Sequence, residues 1–148
     1  KKSSVAFAEK FQVVGFDINQ IRISELKNGN DRTFEIDNDL LKSVSSNIIY
    51  TDNIEDASDC NIYIVTVPTP IDSENQPDLK PLVESSRAVG EVLSKDDIVI
   101  YESTVYPGVT EDVCVPELEK SSNMQFNKDF FCGYSSYFWL HTRSRQTS

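Results

Sequence analysis

One stretch near the middle of the chain, residues 61–70 (Asn-Ile-Tyr-Ile-Val-Thr-Val-Pro-Thr-Pro), constrains the fold more than any other. After Asn61 it runs through β-branched and aromatic residues without the spacing of an amphipathic helix. It is also too uniformly apolar for a strand with one wet face, so it predicts a strand buried inside a parallel sheet. Pro68 and Pro70 cannot donate ladder hydrogen bonds and therefore mark the strand's carboxyl end. In open α/β sheets, ligands bind at that end.

Short apolar runs and helical runs alternate on both sides of this strand. Val5-Ala6-Phe7-Ala8 suits the last turns of a helix, and 11–17 reads as a strand ending in Asp17. Ile18, Ile21 and Leu26 have helical spacing, and Asn28-Gly29-Asn30 supplies residues that accept a left-handed cap. Residues 39–43 are weakly helical, 48–50 strand-like, and 53–59 a brief acidic helical turn. The polar stretch 71–80 predicts a surface loop over the strand end, where binding residues tend to sit. Pro81 suits the first turn of a helix through about Leu93, with Leu82, Val89 and Leu93 on one face. A strand at 98–101 follows. A helix from Gly108 to about Lys120 comes next, which Pro116 is expected to kink or split. The last strand-like piece is 130–134. This alternation predicts an α/β fold with a parallel sheet covered on both faces. Residues 136–148 have no clear periodicity, hold the chain's one Trp and one His, and end in a basic run. They read as a tail outside the domain formed by 1–135.

At 148 residues the chain suits one domain with a real core. Its formal net charge of −10 argues against a nucleic-acid or anionic-membrane partner. It carries neither an apolar run of membrane-spanning length nor an opening signal-peptide pattern, which points to the cytoplasm. Cys60, Cys114 and Cys132 are odd in number and widely spaced. They suggest buried thiols rather than a disulfide framework, and no metal site is indicated.

Several residues are candidates for chemistry, each with a plainer explanation beside it. Asp17, at a strand's carboxyl end and before a helix, is placed to accept hydrogen bonds from adenosine ribose hydroxyls in a dinucleotide fold; an acid there is also an ordinary helix cap. Arg22, early in that helix, suits the adenosine end, or is a solvated surface charge. Val67-Pro68-Thr69-Pro70 offers a rigid edge and one hydroxyl, or a structural turn. Ser103 and Thr104 end the next strand with hydroxyls suited to a nicotinamide ribose or to a water near a reacting carbon, and neither has a neighbouring base. Glu102 is a ligand contact or a carboxylate satisfied by backbone amides. His141 is the one side chain that titrates near neutrality unaided, but it sits in the aperiodic tail.

Three motifs in order, Val14-Gly15-Phe16-Asp17-Ile18-Asn19, Val67-Pro68-Thr69-Pro70 and Glu102-Ser103-Thr104-Val105-Tyr106-Pro107-Gly108, closely resemble the UDP-glucose/GDP-mannose dehydrogenase family. The likeness is strongest to bacterial members that oxidise UDP-N-acetylhexosamines, for which Phe131-Cys132-Gly133-Tyr134-Ser135 is also typical. The resemblance implies a Rossmann-like doubly wound parallel sheet and NAD as cofactor. It further implies a two-step oxidation of the 6-hydroxyl of a UDP-sugar in polysaccharide precursor synthesis, by enzymes that are usually homo-oligomers. On it, Asp17 and Arg22 look like adenosine-side contacts. Val67, Pro68, Thr69, Pro70 and Ile71 look like the segment along the cofactor, Ser103 like a further cofactor contact, and Thr104 like the catalytic threonine that also holds the active-site water.

The chain departs from the family pattern at both ends. Lys1-Lys2-Ser3-Ser4 stands where the family has its first, central strand and glycine-rich turn, and no G-x-G-x-x-G occurs anywhere. That turn's amides hold the pyrophosphate, so affinity for NAD is expected to fall. Ser136 and Tyr137 replace the family's proline and glutamate, and the family's nucleophilic cysteine, its lysine and its substrate-binding half have no counterpart. Cys132 is not that nucleophile. These departures lead to the expectation of a fragment truncated at both ends and inactive alone. The alternatives are a non-catalytic module that docks on an intact dehydrogenase subunit, or a functionless truncated product.

Overall fold

The apolar runs form strands, and every strand pair among the described residues is parallel, as intervening helices require. The structure, a computed structural model, describes residues 2–33, 37–71, 74, 76–102 and 108–134. The chain divides into two compact units, Lys1–Cys60 and Asn61–Ser148.

In the first unit, α1 (Lys2–Ala8) leads into β1 (Val13–Phe16), α2 (Gln20–Lys27), α3 (Asn38–Ser43) and β2 (Ile48–Thr51), followed by a 3₁₀ turn at Ile54–Ala57. β1 and β2 align Val13 with Ile48 and Gly15 with Tyr50. Helix α2 begins where the Asn19 side chain accepts the Arg22 N–H at 3.1 Å. It stops before Gly29, whose φ of 69° is the left-handed conformation that favours glycine. Asp37 caps α3 by accepting from the Asp39 and Leu40 N–H groups at 2.8 and 3.3 Å. The core joins Val5 and Ala8 of α1, Ile23 and Leu26 of α2, Leu41 of α3, Val44, and Ile48 and Tyr50 of β2. The three-residue spacing of each helical pair turns one face inward.

In the second unit, β3 (Ile62–Val65), α4 (Lys80–Val92), β4 (Ile98–Tyr101), α5 (Val115–Ser122) and β5 (Phe131–Tyr134) build a sheet of order β3-β4-β5. Tyr63, Val65, Val99 and Tyr101 are buried on one face. Two of them bond to α4: Tyr63 Oη donates to the Val92 carbonyl at 3.3 Å, and Tyr101 Oη lies 2.6 Å from Ser86 Oγ. The alternate residues Ile62, Ile98 and Phe131 form a register-matched row and are exposed. Within this unit α4 and α5 pack against each other on the tyrosine side of the sheet.

The helix read over 108–120 is divided. A π-helical stretch at Thr110–Cys114 precedes α5, and Pro116 lies at the start of α5. Proline has no N–H for the carbonyl four residues back and its ring crowds that carbonyl. The wider π spiral accommodates both effects.

Candidate functional site

In the first unit, Asp17 follows β1 directly. Its N–H extends the ladder to the Thr51 carbonyl at 3.1 Å, and its Oδ1 accepts the Asn19 N–H at 2.9 Å. The backbone of Asp17 thus closes the ladder at the end of β1, while its carboxylate caps the turn into α2.

Arg22 is not a solvated surface charge. It is 4% exposed, and its Nη2 donates to Oδ1 of Asp31, itself 1% exposed, at 2.5 Å. The same oxygen accepts from the Thr33 N–H at 3.1 Å and from Thr33 Oγ1 at 2.7 Å. The Asp31 N–H reaches Asn38 Oδ1 at 3.2 Å, fastening the loop to the start of α3. Arg22 Nη1 lies 3.5 Å from Glu25 Oε2, an ion pair without a hydrogen bond, and Arg32 Nε is 3.4 Å from that oxygen. Arg22 Nε and Nη1 are buried and have no hydrogen-bond partner among the described residues. Nothing in the sequence singles out Asp31, because Asn30-Asp31-Arg32 reads as an ordinary polar run after a helix stop.

In the second unit, Val67, Pro68, Thr69 and Pro70 follow β3 outside any helix or strand. Pro70's carbonyl accepts the Asp78 N–H at 2.7 Å, Ile71 bridges to Pro77, and Asp78 Oδ1 accepts the Lys80 N–H at 2.9 Å where α4 begins. The loop between strand and helix is thereby pinned at its base, with Thr69 Oγ1 buried and unpartnered among the described residues. Glu102 follows β4, its N–H donating to the Val65 carbonyl at 2.9 Å. Ser103 and Thr104 lie outside the described residues, as do Tyr106, Pro107, Ser135 and the tail with His141.

Cys60, Cys114 and Cys132 are free thiols, Cys114 buried and the other two half-buried. Burial raises the pKa of Cys114, and it pushes Cys132 up to about 12. Both shifts disfavour the thiolate, so neither thiol is activated as a nucleophile by its surroundings.

Residues 2–139 match the UDP-glucose/GDP-mannose dehydrogenase family, NAD binding domain. The chain belongs to this family. It is 59% identical over 132 residues to a UDP-N-acetyl-D-glucosamine 6-dehydrogenase of Pseudomonas aeruginosa, a match covering 89% of this chain and 31% of the relative. A Salmonella typhi protein of the same description is 52% identical over 132 residues, with the same coverage of 89% and 31%. The solved structure of a UDP-D-ManNAc dehydrogenase from Pyrococcus horikoshii matches with a TM-score of 0.83 at 32% identity, covering 89% of this chain and 32% of that one. The chain thus spans about a third of the length of the curated relatives it matches.

The fold is that of the N-terminal Rossmann-type domain of these dehydrogenases, and the cofactor of that domain is NAD. The residues present fit such a ligand. Buried polar atoms are seldom left unpaired; within the first unit Arg22 Nε and Nη1, and separately within the second Thr69 Oγ1, are groups of the kind a ligand rich in hydroxyls and oxygens satisfies. Among the described residues, no helix is long and apolar enough to cross a membrane.

Proposed function

We propose that this chain is the cofactor-binding part of an NAD-dependent dehydrogenase that oxidises the 6-hydroxyl of a UDP-N-acetylhexosamine to the carboxylate. The observation that carries the reading is the 59% identity to the Pseudomonas aeruginosa enzyme. Asp17 accepts from the adenosine ribose hydroxyls, and Arg22 offers its two unpartnered donors to the same end of the cofactor. Val67, Pro68, Thr69, Pro70 and Ile71 lie along the cofactor, Thr69 with its free hydroxyl. Ser103 contacts the cofactor, and Thr104 holds the water that becomes the second carboxylate oxygen. NAD, when bound, takes up hydride. Two equivalents carry away the four electrons lost between alcohol and acid, and three protons leave. The whole protein works in the cytoplasm as a homo-oligomer.

Calorimetric titration of the whole enzyme with NAD tests the cofactor reading. Saturable binding is expected, weakened about tenfold in Asp17→Asn, the size of one charge-assisted hydrogen bond. No binding at millimolar NAD would overturn it. In the whole enzyme, NADH formation with UDP-glucose but not with UDP-N-acetylglucosamine would overturn the choice of sugar.

A further inference from the structure

An arginine close to the adenosine ribose ordinarily accommodates the 2′-phosphate of NADP, whereas an acid there favours the free hydroxyl of NAD. This chain has both, Asp17 and Arg22, within one turn of the start of α2. On charge alone, Arg22 would offset the discrimination that Asp17 provides. The structure shows why that need not happen. The Arg22 guanidinium is buried against Asp31, with Nη2 2.5 Å from Oδ1 and Glu25 as a second carboxylate at 3.5 Å from Nη1.

We infer that Asp31 is a specificity-determining residue that acts through Arg22. By neutralising the guanidinium internally it denies a 2′-phosphate its counter-charge. This inference rests on the NAD reading proposed above. Asp31 cannot swing away to release the arginine, because both the N–H and the hydroxyl of Thr33 donate to the same oxygen and Asn38 holds the Asp31 backbone. Arg22 is paired with both Asp31 and Glu25, and Arg32 lies against Glu25 as well. A dianionic phosphate near Arg22 therefore finds the arginine's charge already compensated.

The test is the ratio of NADP to NAD affinity, measured by equilibrium titration of the whole enzyme and its variants after circular dichroism has confirmed their fold. Asp31→Asn keeps the shape and the Oδ1 acceptor while removing the charge. The ratio is expected to rise about tenfold, and NADP binding should become more sensitive to salt. The gain should vanish in the Arg22→Gln/Asp31→Asn double variant. If Asp31→Asn fails to fold, the less buried Glu25→Gln decides the matter, with a smaller rise in the same direction expected. An unchanged ratio in a folded variant, or a gain that survives loss of the arginine, would overturn the inference while leaving NAD binding intact. Failure of the unsubstituted whole enzyme to bind NAD overturns the cofactor reading, and this inference with it.

Discussion

Gly15 and Tyr50 stand opposite each other on β1 and β2, and a methyl group on Gly15 would lie 2.8 Å from Tyr50 Cδ1 and 3.0 Å from Cε1. Carbon atoms pack without repulsion at about 3.5–4.0 Å, and the buried ring has little room to retreat. Glycine is therefore required here for the closeness of its neighbour rather than for an unusual backbone angle. Gly15→Ala is expected to destabilise the chain by about 1–3 kcal/mol, as overpacking does. Urea unfolding monitored by circular dichroism checks this, and an unchanged midpoint would show that the ring moves aside freely.

The Tyr50 hydroxyl makes a second prediction, of opposite sign to the usual cost of losing a polar group. It is buried without a hydrogen-bond partner among the described residues, and burial raises its pKa against a smaller lowering by Arg22. Removing a buried hydroxyl that has no partner sacrifices no hydrogen bond. Tyr50→Phe is expected to be neutral or to stabilise by up to about 1 kcal/mol. Tyr101→Phe should instead cost about 1–2 kcal/mol, because Ser86 Oγ loses the hydroxyl 2.6 Å away. Equal losses for the two substitutions would contradict the assignment of partners.

The elements with strong local signals were legible in the sequence. The strand at 98–101 and the helix opened by Pro81 follow from apolar runs and a proline that suits a first turn. Gly29 follows from the need for a left-handed residue after α2. Pro116 announces an irregular helix, although not that the irregularity would be a π turn lying ahead of it. What local reading does not reach is pairing across the chain. The Arg22–Asp31 latch joins residues on either side of a helix stop, and a polar run after a helix looks the same whether its acid is buried or wet. The exposed row of Ile62, Ile98 and Phe131 is hidden for a related reason. An apolar strand reads as buried on both faces, whereas which of its residues are buried within this unit is decided by where α4 and α5 pack.

In the last turn of α4, Gly90 is a place where helix propensity gives the wrong answer. Alanine is ordinarily favoured over glycine inside a helix by about 1 kcal/mol. Here an added Cβ would come within 2.6 Å of Ser121 Cβ and 3.2 Å of the Leu118 carbonyl on α5. Gly90→Ala is expected to destabilise by about 1–3 kcal/mol through overpacking, and Ser121→Gly in the same chain should restore part of the loss. The Arg87–Glu117 ion pair spans the same two helices at 2.6 Å but is largely solvated, so its removal should matter far less. Unfolding midpoints of the three variants rank these effects, and a stabilising Gly90→Ala would show that the helices are free to separate.

The thiol of Cys132 ties stability to pH on the alkaline side. Burial pushes its pKa up to about 12 from an ordinary 9.0, with the neighbouring Cys114 and Glu111 adding to the rise. A folded-state pKa above the unfolded one means that above pH 9 the unfolded chain holds fewer protons on this group than the folded one does. The contribution is complete below pH 9 and is lost progressively as pH rises towards 12. Burial shifts Tyr101 and Cys114 in the same direction, which steepens the loss. Urea unfolding at pH 8, 9.5 and 11, values chosen to span about three pH units around that window, should show falling stability in the unsubstituted chain and a shallower fall in Cys132→Ala. Alkylation read by mass spectrometry provides an independent check, because Cys132 should react with iodoacetamide much more slowly at mildly alkaline pH than it does in urea. Equal slopes and equal labelling rates would show that this sulfur is solvated in the folded protein.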